Sequence, residues 1–158
     1  MRAGALAAVI AMVLAAPAAS AKPVSGRKFG IGLQYGQPSA VTGYYSLGDT
    51  IAVDLAVGWI SPNVREFLAH TDLHWLFAEV NRGKDVSLPF YVGAGAWVID
   101  DHSDWFGGLR IPLGIAVHMH PVRLQLFLEV SLQVALFKAR ETPRSTDTEA
   151  AVGIRFFF

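Results

Sequence analysis

From residue 29 onward, apolar residues alternate with small or polar ones. A period of two puts all the apolar side chains of a segment on one face of a strand. The first strand is read at Phe29–Tyr35, with Phe29, Ile31, Leu33 and Tyr35 opposite Gly30, Gly32 and Gln34. Gly36-Gln37-Pro38-Ser39 is a turn signal. The second strand, Ala40–Leu47, sets Val41, Tyr45 and Leu47 against Thr42 and Tyr44. The third, Thr50–Ile60, sets Ile51, Val53, Leu55, Val57 and Trp59 against Ala52, Asp54, Ala56 and Gly58. A turn opens at Ser61-Pro62-Asn63, and a fourth strand at about Leu68–Val80 carries His70, Asp72 and His74 opposite Leu73, Trp75 and Phe77. Asn81–Asp85 is a polar turn before a fifth strand, Pro89–Ile99. An acidic loop, Asp100–Asp104, leads to a sixth at about Phe106–Met119, with Leu109, Ile111, Leu113, Ile115 and Val117 opposite Arg110, Pro112, Gly114, Ala116 and His118. His120-Pro121 turns the chain into the longest ladder, Val122–Phe137, where Gln125, Phe127, Glu129, Ser131 and Gln133 oppose six aliphatic residues. The last strand places Ala150, Val152, Ile154, Phe156 and Phe158 opposite Glu149, Ala151, Gly153, Arg155 and Phe157. Pro112 stands mid-strand, where proline removes a ladder hydrogen bond, so either a local bulge beside Gly114 or a later start to the sixth strand is expected.

The first 21 residues follow another pattern. Arg2 is followed by an Ala-rich apolar run, Pro17 and then Ala19-Ser20-Ala21, a small-x-small cleavage pattern. This predicts a secretory signal peptide over residues 1–21 and a single domain over 22–158. Removing Arg2 leaves 12 Lys+Arg against 13 Asp+Glu, so no basic excess points to nucleic acid. No cysteine is present to form a disulfide or carry a lipid anchor.

Composition changes the picture further. The chain is 53% hydrophobic and only 16% charged, apolar for a soluble exported domain. Yet no stretch after residue 21 has the ~18 consecutive apolar residues of a membrane helix. Inside lipid, a closed barrel is the other structure that satisfies every backbone hydrogen bond. The rival is a soluble barrel, which would turn its polar face to water and stud it with charge. Here the polar face is Gly, Ala, Ser and Gln with isolated charges, and Lys22, Lys28, Lys84 and Lys138 all lie in the tail, at strand ends or in turns. Small residues on the concave side suit a narrow barrel of eight strands, and aromatics toward the strand ends suit interfacial girdles. The predicted fold is all-β: an eight-stranded antiparallel up-and-down transmembrane barrel, monomeric, with both termini on the periplasmic side.

The alternating strands, the export signal and the final Gly153-Ile154-Arg155-Phe156-Phe157-Phe158 resemble the OmpA/OmpX-type small outer-membrane barrels. They also resemble a broader group of uncharacterised outer-membrane β-barrel sequences of Gram-negative bacteria. The resemblance implies a cell outer-membrane location, contact with outer-membrane lipid and lipopolysaccharide, and recognition of Phe158 by the barrel-assembly machinery. It differs in one respect: the outer connections are short except for Arg140–Asp147, which argues against an adhesive role.

The inward face collects Asp54, His70, Asp72, His74, Arg110, Glu129 and Arg155, with His118, Gln34 and Tyr44 beside them. Buried charge demands pairing, so the two arginines are expected to bridge the carboxylates and plug the lumen. The alternative is a narrow polar path for small solutes. His70-x-Asp72-x-His74 puts three ligand types on one strand face, but zinc wants a third protein ligand, which Glu129 could supply only by tertiary accident; no metal or cofactor is expected. His118-x-His120 lies at a turn, and Asp100–Asp104 lacks the glycine and spaced glutamate of a calcium loop. A lipid-modifying hydrolase would need a Ser, His and carboxylate in contact, and His102-Ser103-Asp104 supplies the types without the geometry. No catalytic residue is assigned, and the expectation is a structural barrel rather than an enzyme.

Overall fold

A computed structural model describes residues 27–61, 64–82, 84–101, 104–138 and 146–158. Residues 1–26, which include the expected signal peptide, Pro62-Asn63, Gly83, His102-Ser103 and the connection at 139–145 lie outside the described residues. Eight strands form: β1 (Phe29–Gly36), β2 (Ser39–Ser46), β3 (Ile51–Ser61), β4 (Val64–Arg82), β5 (Val86–Asp101), β6 (Asp104–Met119), β7 (Leu124–Lys138) and β8 (Thr146–Phe157). Each pairs antiparallel with the next, and β8 pairs with β1, closing the barrel.

The two faces divide as the alternation requires. On β8, Val152, Ile154 and Phe156 are exposed while Ala151, Gly153, Arg155 and Phe157 are buried. The sense of the division is inverted relative to a water-soluble protein. Large hydrophobic side chains cover the outside, and most of the buried charge lies within. One end of the barrel carries Phe29, Phe158 and the short turns at 47–50, 84–85 and 120–123. In the last of these turns Arg123 takes a positive φ of 57°, so β7 begins at Leu124 rather than at Val122 as read from the sequence.

Several boundaries differ from the sequence reading. β4 and β5 run well past Leu68–Val80 and Pro89–Ile99. Asn81 and Arg82 belong to β4, and Asp100, Asp101 and Asp104 are paired strand residues. β3 follows β4 only as far as Ile51↔Trp75, so beyond Leu76 the β4–β5 hairpin projects past β3. A register shift between Leu76 and Ala78 marks the departure.

Pro112 makes no bulge. It stays in register opposite Ser131, and the irregularity of β6 lies instead between Gly107 and Gly108. Two features absorb the proline. The ladder to β5 is interrupted between Val92↔Leu113 and Gly95↔Arg110, so the missing donor falls in that gap. The ring also points inward toward Gly93, where a Cβ would stand 2.8 Å from the proline Cγ. A glycine across the ladder leaves the room that the proline occupies.

Candidate functional site in the barrel interior

Register decides which inward residues meet. Starting at Phe157 and stepping across the ladders gives Gly30, Tyr44, Asp54, Asp72, Gly95, Arg110 and Gln133. Cross-strand partners have Cβ atoms only about 4.5–5.5 Å apart, so this spiral row sets Asp54 directly beside Asp72. Two like charges placed so are unfavourable unless each has a cation. A different arginine serves each of them.

Arg110 serves the first cluster. Its Nη2 donates to Glu129 Oε1 at 2.6 Å, and its Nε lies 3.4 Å from Asp72 Oδ2. His70 Nδ1 stands 3.0 Å from the same Asp72 oxygen. Tyr91 reaches over from β5 and donates its hydroxyl to Glu129 Oε2 at 2.9 Å. Tyr91 can do this because residue 114 is glycine: a Cβ at that position would overlap the tyrosine ring. His74 stacks on Tyr91 at 4.4 Å between ring centroids, with its Nε2 3.8 Å from Glu129 Oε2.

Arg155 serves the second. The row His118, Gln125, Arg155, Gly32, Thr42 runs along consecutive ladders. Arg155 forms an ion pair with Asp54 through Nη2, donates from Nε to Thr42 Oγ1 at 3.0 Å, and donates from Nη1 to Gln125 Oε1 at 3.3 Å. Its guanidinium lies 3.9 Å from the Phe127 ring centroid and 5.2 Å from that of Tyr44, two cation–π contacts. Because the Gln125 oxygen is taken by arginine, its amide nitrogen is the group that meets His118 Nε2 at 2.7 Å. This assigns the His118 proton to Nδ1. At the mouth beside it, Ser87 Oγ is 3.2 Å from His120 Nε2.

Among the described residues, four carboxyls (Asp54, Asp72, Glu129, Glu149) and two guanidiniums are buried. Amide, phenol and imidazole groups stand near the carboxyls as well. Gln133, for example, donates to Glu149 Oε2 at 2.5 Å. Arg155, Phe157, Leu68 and His74 are among the largest fully buried side chains.

The seven ionisable residues singled out by inward parity therefore lie in two adjoining clusters, Asp72–Arg110–Glu129 with His70 and His74, and Asp54–Arg155. The His70-Asp72-His74 set does not converge, since Asp72 faces His70 and Arg110 while His74 turns to Tyr91 and Glu129. Among the described residues no three ligand-type side chains are placed to hold a metal ion. Of the acidic loop set, His102 and Ser103 lie outside the described residues. Phe158 sits on the outside, packed against Phe29 at 6.2 Å and Phe156 at 5.2 Å. Besides the hydrogen-bonding residues Thr42, Gln125, Gln133 and Glu149, sequence reasoning missed Tyr91 and Phe127. Both are aromatics on the inner face, each lying over a glycine of the next strand, Gly114 and Gly153. An inward aromatic opposite an inward glycine is the signal that finds them.

No family model matches the chain, and no curated protein sequence matches it. Among solved structures, it is similar to the N-terminal β-barrel domain of Pseudomonas aeruginosa OprF, with a TM-score of 0.56 at 16% identity. The match covers 83% of this chain and 96% of that one. At this identity the likeness is one of fold: a closed eight-stranded antiparallel barrel.

Proposed function

We propose that the chain is an integral protein of the bacterial outer membrane whose role is structural, with a polar interior closed by its own side chains. One observation carries the reading. The barrel is inside-out for water: Leu126, Leu128, Val130, Leu132 and Val134 are exposed in a row on β7, while Gln125, Glu129, Ser131 and Gln133 are buried behind them. Soluble monomers rarely expose apolar patches beyond a few hundred Å², and a hydrocarbon solvent removes that conflict. The similarity to the OprF barrel domain supports the same reading. In this orientation the end with Phe29 and Phe158 faces the periplasm. The protein is exported by its cleaved leader, inserted as a monomer by the assembly machinery reading Phe158, and in contact with lipopolysaccharide on the far side.

The test is membrane fractionation combined with gel mobility of unheated and boiled samples. A pool in the outer membrane that shifts on heating is expected. A soluble periplasmic pool with no shift overturns the reading. Planar-bilayer recording of the purified barrel separates a closed interior from a narrow pore, since steady large conductance contradicts the closed interior. Lipid A mass spectra from cells with and without the protein are expected to be identical; a difference would point to a lipid-modifying enzyme.

A further inference from the structure

The projecting β4–β5 hairpin leaves one strand edge open. On its far side β5 stays paired to β6 as far as Val86↔Met119. On the near side β4 loses β3 after Ile51↔Trp75, and the last bond across is from Leu76 N–H to the Thr50 carbonyl at 2.8 Å. From Ala78 to Arg82, among the described residues, β4 has a ladder partner on its β5 side alone. The backbone groups of a strand alternate between its two edges, so this stretch turns a short row of N–H and C=O groups toward the lane that a longer β3 would fill. Val80, on the same stretch, is 53% exposed. Such an edge is a template for another strand unless something covers it.

Symmetry removes a second copy. Two barrels inserted the same way run their β4 strands in the same direction, and a two-fold axis along the membrane normal sets like edge against like edge. Like edges form a ladder only when the strands are antiparallel, which would put one barrel in upside down. The residues ahead of β1 are within reach instead. The Lys28 carbonyl accepts from Ser46 N–H at 2.7 Å, so the chain enters β1 beside the 47–50 turn, at the end where the hairpin projects. The open lane is two strand spacings away, about 10 Å. Six extended residues, 22–27, span about 20 Å, enough to cross and still lie along β4 for about three residues. Val24 is the large apolar residue of that segment and can cover Val80. Pro23 stands near its free end, where an edge strand tolerates a missing N–H. A tethered segment also meets the edge at an effective concentration of about millimolar, ahead of any dilute peptide. We infer that residues 22–26 add an antiparallel strand to the β4 edge, a strap that completes the periplasmic rim. An attached leader draws this segment toward the inner membrane, so the strap forms only after cleavage behind Ala21. The inference rests on the export and membrane reading above.

The chain has no cysteine, so engineered pairs report proximity on a clean background. Val24→Cys and Ser25→Cys, which cover both faces of the segment, are each combined with Val80→Cys in the membrane-embedded protein and treated with a mild oxidant. Val122→Cys is the control partner, at the same end and 52% exposed. Heat-modifiable mobility shows that each variant is folded, and intact mass shows where each chain begins. One of the two Val80→Cys pairs is expected to close within a single chain about tenfold faster than the same cysteine with Val122→Cys. Hydrogen exchange is the second measurement. Alternate amides between Ala78 and Arg82 are expected to exchange about tenfold more slowly in wild type than in a chain lacking Val24–Gly26. Equal closure rates, or equal exchange in the two chains, overturn the strap. Dimers linked through Val80→Cys on both chains overturn it in favour of a second copy, and a mixed disulfide between that single variant and another protein overturns it in favour of a foreign strand. A chain that keeps its leader fails the export reading and shows the larger mass. A protein that fractionates as soluble fails the membrane reading, a different and separately visible result.

Discussion

Arg155→Met removes the guanidinium that Asp54, Thr42 and Gln125 share, and leaves a stem of similar length against Phe127. Arg155 and Asp54 are 1% and 2% exposed, so neither gains water when its partner goes. Breaking a buried ion pair from one side costs about 3–5 kcal/mol, because an uncompensated charge stays behind. An exposed pair would cost about 0–1 kcal/mol. Asp54→Asn should cost a similar amount alone, by stranding the arginine. The double variant Asp54→Asn with Arg155→Met strands neither, and should lie within about 1–2 kcal/mol of wild type, since replacing a whole buried pair is often near neutral. The assay is urea titration of the barrel folded in lipid vesicles, followed by tryptophan fluorescence and by the mobility of unheated samples. Two results refute the reasoning: a single-variant cost below about 1 kcal/mol, the exposed-pair value, or a double variant less stable than Arg155→Met alone.

Further substitutions test other parts of the structure. Gly114→Ala should drive the Tyr91 ring off its seat and cost about 1–3 kcal/mol by overpacking, whereas Tyr91→Phe should cost about 1.5–3 kcal/mol through its lost bond to a charged acceptor; the same urea titration reads both. Arginine at Val130, mid-strand on the outward face of β7, should cost about 2–4 kcal/mol in vesicles, and at Leu136 near the strand end about 0–1. A reversed ranking would count against the lipid-facing assignment. Added zinc should leave the urea midpoint unchanged, because His70 and His74 turn to different partners; a midpoint rising with zinc would show that they converge.

The faces of the strands were legible because alternation survives wherever a strand is paired on both sides. It was least legible where the barrel departs from regularity. The far end of β4, from Ala78 to Arg82, is mostly polar and pairs only with β5, and the shift at Leu76/Ala78 breaks the period there, so β4 reads short; β5 reads short because Pro89 and the acidic pair Asp100-Asp101 look like strand limits, although the strand runs past both. Pro112 read as a defect because the glycine that accommodates it, Gly93, lies nineteen positions earlier and across a ladder. Membership of the interior followed from parity alone. Its wiring did not, since it depends on the stagger between strands. Arg155 meets Asp54 on β3, a strand that does not border β8, and nothing in the spacing of the two residues announces it.

That stagger bears on how the sequence can change over time. Along the chain, Arg155 sits between Gly153 and Phe157 on the inner face. In space it shares its environment with positions 32, 42, 54 and 125. A substitution at 155 alters the demands on those distant positions and leaves its chain neighbours nearly indifferent. Drift inside such a barrel is therefore expected to proceed in linked changes across strands, while each outward position varies independently under the single requirement of staying apolar. Two barrels of this kind could lose nearly all resemblance letter by letter and still superpose, provided that their inner residues changed in step.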